Sequence, residues 1–136
     1  MRQYNHVTLI IEKSAEEYWV SVKELSGVYS SGTTIDEAIC NIKEAIQEHI
    51  SDLPEGEVVP DIFYSKQIEY KVKYDLESLF EKFNYLNKTA IAEKAGVNPS
   101  LVRQYSKGLA HASDKQRIKI INAIHEIAND LLAVSA

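Results

Sequence analysis

Ile91-Ala92-Glu93-Lys94-Ala95-Gly96-Val97-Asn98-Pro99-Ser100-Leu101-Val102-Arg103-Gln104-Tyr105-Ser106-Lys107-Gly108 is the stretch that decides how this chain is read. Ile91, Ala92 and Ala95 recur at helical spacing. Gly96-Val97 interrupts them with a residue that tolerates positive φ. Asn98 then offers an N-cap, with Pro99 at the first helical position. Two helices that cross closely around a tight turn need a small residue at the crossing, here Ala92. They need an apolar anchor after the turn, here Val97, and apolar positions on the second helix, here Val102 and Tyr105. With Val102 and Tyr105 turned inward, Ser100, Arg103, Gln104 and Lys107 face outward.

This pattern resembles the Cro/CI-type helix-turn-helix family, strongly over residues 87–108 and loosely over 75–132. The resemblance implies that the second helix enters a DNA major groove. Arginine pairs with guanine, glutamine with adenine, and an apolar side chain can meet a thymine methyl. The expected base readers are therefore Ser100, Leu101, Arg103 and Gln104. Lys88, at a helix start, and Lys107, Lys115 and Arg117 are the expected phosphate contacts. The competing reading is an ordinary small helical bundle with a solvated charged face.

Working outward, Asp75 precedes Leu76, Leu79, Phe80 and Phe83 as a cap, and Asn87 caps Lys88 to Ala95. Ser113-Asp114-Lys115-Gln116 opens a long last helix with Ile118, Ile121, Ile124 or His125, Ala128 and Leu131 or Leu132 as its stripe. Ile120, Ile124, Ile127, Leu131, Leu132 and Val134 leave apolar surface beyond what one small bundle hides. A homodimer through this helix is expected, with a tetramer as the next assembly, because one-sided readers pair to match two half-sites.

Upstream, Val7, Leu9 and Ile11, and then Tyr18, Val20 and Val22, alternate with period two and predict a hairpin. Leu25 to Gly32 is rich in glycine and serine and predicts a loop with one short strand, Val28 to Ser31. Thr34-Ile35-Asp36-Glu37 fits a capping box. Ile35, Ile39, Ile42, Ile46 and Ile50 form one helical stripe. Ser51 to Pro60 reads as a loop, and Ile68, Tyr70, Val72 and Tyr74 as a last strand. Period two gives way to 3.6 near residues 72–75. The fold class expected is α+β: a β-β-β-α-β domain over residues 1–72, then an all-α domain over residues 73–136.

The stretch Tyr18 to Ala38, with its Leu25-Ser26-Gly27 turn, Gly32, the Thr34 cap and Glu37-Ala38, is followed by Asn41, Glu44, Ala45 and Ile46. It resembles the HicB antitoxin family of type II toxin–antitoxin systems over residues 7–50. Lys23-Glu24 and Ser26 depart from the family's usual Pro-Asp before the leucine and Pro after it. The resemblance implies a partial RNase H-like first domain that neutralises a small basic, mRNA-cleaving HicA-like ribonuclease. It also implies a second domain that represses the protein's own operon at a double-stranded DNA operator.

Composition fits that division. The 136 residues are 45% hydrophobic and 26% charged, as in an average soluble chain. Residues 1–71 hold 6 basic and 13 acidic side chains, and residues 72–136 hold 9 and 7. Over residues 88–119, seven bases face two acids. An acidic half favours a basic partner and disfavours nucleic acid on its own surface. Lone Cys40, read as a small buried hydrophobe, suggests a reducing cytoplasm. The apolar run Val7 to Ile11 is too short for a signal peptide or membrane span. Glu12 and Glu24, at strand ends, have no third carboxylate for Mg²⁺. Asp36, Glu37, Glu44 and Glu48 read as solubilising. His6, His49, His111 and His125 lack metal spacing. No enzyme activity, cofactor, metal or membrane contact is expected. The rival readings are a solitary transcriptional regulator whose first domain binds a ligand or has no toxin partner, and an RNase H-like nucleic-acid enzyme.

Overall fold

The structure, a computed structural model, describes residues 5–136. Residues 1–4, where the expected first domain begins, lie outside the described part. The chain divides into two compact units, one through Ser78 and one from Leu79 onward.

In the first unit, strands β1 (Val7–Ser14), β2 (Glu17–Val22) and β3 (Leu25–Gly32) precede helix α1 (Ile35–Ser51). A short 3₁₀ turn (Asp61–Tyr64) and strand β4 (Tyr70–Tyr74) follow. The sheet order is β3-β2-β1-β4, with β4 parallel to β1 and the other pairs antiparallel. The β-β-β-α-β order is the one expected from the sequence, whereas the parallel placement of β4 beside β1 and the full length of β3 are given by the structure. Val7, Leu9 and Ile11 of β1 and Tyr18, Val20 and Val22 of β2 are buried on one face. Ile35, Ala38, Ile42 and Ile46 of α1 are buried against them. Each large apolar side chain among these contributes roughly 1.5–3 kcal/mol by leaving water.

The helix is seated by specific contacts at its start. The Glu37 amide donates to Thr34 Oγ1 at 3.1 Å, which is one half of the expected capping box. The Glu37 carboxylate accepts from the Thr33 hydroxyl instead of reaching back to the cap. A Cβ at Gly32 would lie 2.6 Å from the Ala38 nitrogen, so only glycine lets the strand pass this close under the helix. Asn41 Nδ2 donates to the Ser31 carbonyl at 2.8 Å and ties the helix to the strand beside it.

The structure corrects three further readings. β3 runs through the whole of Leu25–Gly32, not only Val28 to Ser31. Its pairing with β2 shifts register between Ser21 and Val22, so Ser26-Gly27 is an irregularity inside a strand. That is why the stretch carries a loop's composition. Cys40 is exposed, because Ile39 and Ile42 already take the inward side of α1. The third correction concerns the last helix, below.

Asp75 ends β4 and starts α2 (Leu76–Lys82). Its Oδ1 accepts from the Ser78 amide at 2.8 Å, as an N-cap should. Its Oδ2 accepts from the Lys13 amide at 2.8 Å, and its own amide donates to the Ile11 carbonyl. These bonds attach the beginning of α2 to β1. They account for a division of the chain that lies beyond the change of period near 72–75.

The second unit holds α3 (Lys88–Ala95), α4 (Pro99–Ser106) and α5 (Asp114–Leu132). Its buried set is Ile91, Ala92, Val97, Val102, Tyr105, Ile120 and Ala123, together with Leu79 and Phe80. On α5 the inward positions are Ile120 and Ala123, while Ile118 is 55% exposed. The sequence carries isoleucines at 118, 120, 121, 124 and 127, so two helical registers fit almost equally well, and packing selects the one through Ile120. Ile120 is therefore core and is withdrawn from the expected dimer surface. Leu131, Leu132 and Val134 are exposed.

Candidate nucleic-acid interface

The site is built by two short helices and the turn between them. Asn87 Oδ1 accepts from the Ala90 amide and starts α3. Ala92 is fully buried, and the small side chain permits close approach of neighbouring backbone. Gly96 adopts φ 72°, the left-handed region that favours glycine. Around it the Val97 amide donates to the Ala92 carbonyl at 2.9 Å and the Gly96 amide to Glu93 at 3.2 Å. This pair of bonds is the Schellman pattern, and it buries Val97 as the apolar residue just past the helix. Asn98 Oδ1 accepts from the Ser100 amide at 2.9 Å, and Pro99 occupies the first turn of α4.

Val102 and Tyr105 are buried at 0% and 5% exposure, so the opposite face of α4 is committed to solvent. Ser100, Arg103, Gln104 and Lys107 lie on that face and are exposed, whereas Leu101 is half-buried at its edge. The spacing of zero, three, four and seven places them in one stripe.

Arg103 does not hang freely. Its Nη2 donates to Ser100 Oγ at 3.2 Å, and its Nη1 lies 3.4 Å from Thr89 Oγ1 on the first turn of α3. The guanidinium is thus braced across both helices, which reduces the rotamer freedom lost on contact with a ligand. Thr89 is not among the residues expected from sequence. The available signal is its position beside Lys88 at the start of α3, but only the crossing of the two helices brings it to Arg103.

The expected phosphate contacts come from different elements, Lys88 from α3, Lys107 from the end of α4, and Lys115 and Arg117 from α5. Lys107 and Lys115 are exposed, and Arg117 is half-buried. Lys88 is half-buried with Nζ 6.0 Å from the centre of the Phe80 ring. Lys94 forms a 3.5 Å ion pair with Glu126. From Leu79 onward the chain has 8 basic and 5 acidic residues, a net of +3; through Ser78 it has 7 and 15, a net of −8.

The carboxylates weighed as metal ligands do not converge. Glu24 Oε1 accepts from the Thr8 amide at 2.8 Å and serves the fold. Among the described residues no group of three His, Cys, Asp or Glu side chains could hold a metal ion. Nor, among them, is any helix long and apolar enough to cross a membrane.

Residues 7–106 match the family described as the HicB_like antitoxin of bacterial toxin-antitoxin systems, a span reaching from β1 to the end of α4. A protein from the rep-hol intergenic region of Haemophilus phage HP1 is 36% identical over 97 residues, covering 62% of this chain and 71% of that protein. A UPF0150 protein of Helicobacter pylori is 38% identical over 61 residues, covering 45% of this chain and 81% of that protein. No solved structure matches.

Proposed function

The chain belongs to the HicB-like antitoxin family of bacterial toxin–antitoxin systems, and on that premise we propose that its two units divide an antitoxin's two roles. The first unit, a partial RNase H-like fold without the nuclease's carboxylates, sequesters a small basic HicA-like ribonuclease. Its net charge of −8 supports this, because such a surface attracts a basic protein and repels RNA. The second unit is a Cro/CI-like helix-turn-helix that binds the protein's own operator and represses transcription in the cytoplasm. It acts as a homodimer or a pair of dimers, with Leu131, Leu132 and Val134 the apolar surface available for pairing.

The observation that carries the DNA reading is the braced Arg103 beside exposed Gln104 on the open face of α4. Arg103 and Gln104 read base edges, with Ser100 and Leu101 at the margins. Lys88, Lys107, Lys115 and Arg117 set register on the phosphates. The chain works without catalysis, metal or cofactor.

Co-expression with the adjacent gene tests toxin sequestration. A stoichiometric complex with a small basic protein, formed with relief of its toxicity, is the expected result. Recovery of the chain alone, with toxicity intact, contradicts it. Gel shift on the upstream DNA of the same operon tests operator binding.

A further inference from the structure

Helix α1 covers one face of the sheet, and the opposite face carries a graded surface that membership of the family does not explain. Alternation puts Thr8, Ile10 and Glu12 of β1, Glu17, Trp19 and Ser21 of β2, and Tyr29 and Ser31 of β3 on that open side. Their register is fixed. Glu12 stands opposite Trp19, which stands opposite Ser31; Ile10 stands opposite Ser21, which stands opposite Tyr29. Small Ser21 is therefore flanked by Ile10 and Tyr29 directly and by Trp19 along its own strand. Directly opposed side chains in such a sheet have Cβ atoms about 5 Å apart and diagonal ones about 7–8 Å. Trp19 is 43% exposed and Tyr29 66% exposed, large areas for aromatic side chains to leave in water.

Charge on this face is polarised. Glu12 and Glu17 lie at the Trp19 corner. Lys73, opposite Ile10, and Lys71, opposite Thr8, lie on the β4 side. An indole with a carboxylate directly across from it is a fitted seat for a guanidinium, which stacks on the ring and pairs with the carboxylate in one placement. Lysine's compact ammonium satisfies only the charge.

We infer that the open face of the sheet, centred on Trp19, Ser21 and Tyr29, is where the basic protein partner docks, with a partner arginine stacked on Trp19 and paired with Glu12. The inference rests on the proposed role of the first unit and specifies its surface. The occupant is a basic protein and not a second copy of this chain, because two units of net −8 repel when brought face to face. Lys71 and Lys73 fix the partner's orientation by taking its acidic side chains. The acidic outer side of α1, with Glu44 and Glu48, lies on the far side of the unit and contributes long-range attraction only.

Trp19 is the sole tryptophan, so its emission reports this face alone. The test titrates the full-length chain with the purified small basic protein encoded beside it. Affinity is measured together with acrylamide quenching of Trp19. The expected result is a blue shift with loss of quenching, and a drop in affinity of about 30-fold or more for Trp19→Ala, the size of an interface hot spot. Glu12→Lys should match that drop. Glu48→Lys, an equal change of charge behind the sheet, should cost less than about threefold. All three positions are exposed, so the variants keep the fold. Tight binding with unchanged Trp19 emission, or equal losses from Glu12→Lys and Glu48→Lys, overturns the inference and leaves the antitoxin reading intact. Absence of binding by the wild-type chain overturns both. A blue shift on concentrating the chain alone assigns the face to a second copy and overturns the inference.

Discussion

Arg103 is held by two hydroxyls, one on α3 and one on α4, before any ligand arrives. Arg103→Ala should cost about 1–3 kcal/mol on the operator and relax specificity at one base position. Its exposure means that thermal stability should not change; both are read by titrating wild type and variant on the same duplex and by melting each alone. Gly96→Ala should act in the opposite way. Nothing lies within 4 Å of the added Cβ, so the cost is that of a left-handed backbone alone, about 1–2 kcal/mol, seen as a lower urea midpoint. Tyr70 gives a pH signature of its own. Burial raises its phenol above the ordinary tyrosine range, and Lys43 Nζ lies 4.7 Å from its ring. Burial thus favours the neutral phenol in the folded state, so this contribution is fully present below the unfolded tyrosine's pKa and is lost as pH rises through the raised one. Phenolate absorbance for Tyr70, isolated by difference with Tyr70→Phe, should appear later than for free tyrosine. The residues of the α3–α4 stretch are legible in the sequence because turn chemistry and helix period fix which side chains point out. Thr89 is not, since its role depends on a crossing that sequence spacing does not encode.

At the scale of elements, local signals are reliable where one physical cause dominates and fail where two compete. The α1 stripe, the Thr34, Asn87, Asn98 and Ser113 caps and the Asp75 cap are all readable, because each cap satisfies amide groups that the helix itself leaves open. β3 is hidden by its own composition. Serine and glycine announce a loop, yet Tyr18↔Gly32 through Ser21↔Tyr29 pair as a strand, with the irregularity absorbed near Ser26. Gly32 belongs to this junction. Gly32→Ala would force a Cβ to 2.6 Å from the Ala38 nitrogen, so strand and helix must separate. Overpacking of that kind costs about 1–3 kcal/mol, and denaturant melts should show it, whereas Ser26→Ala should leave stability nearly unchanged. The register of α5 is obscured for a different reason: five isoleucines serve two faces. Packing resolves them and leaves Leu131 and Leu132 exposed at the end of the helix. Leu132→Glu should shift sedimentation from dimer to monomer and lower operator affinity together; a dimer untouched by that change places the pairing surface elsewhere.

Across the whole molecule the decisive feature is opposite charge on two separate units of one chain. On the proposed reading, the net charge of −8 on the first unit favours a basic toxin there and the net charge of +3 on the second favours DNA. Among the described residues, no group of three His, Cys, Asp or Glu side chains could hold the metal ion that an RNase H-like enzyme reading calls for. Operator binding should weaken linearly with the logarithm of salt concentration, and Lys107→Ala should reduce that slope by about one. The central claim, that α4 presents a DNA-reading face, is tested most directly by fluorescence anisotropy of the full-length chain. The titration sets the upstream duplex of its own operon against a scrambled duplex of equal length at ~0.15 M salt. The account predicts a preference of at least about 10³-fold for the upstream duplex, reduced roughly tenfold or more by Arg103→Ala. Equal affinity for the two duplexes, or a preference indifferent to Arg103, would contradict it.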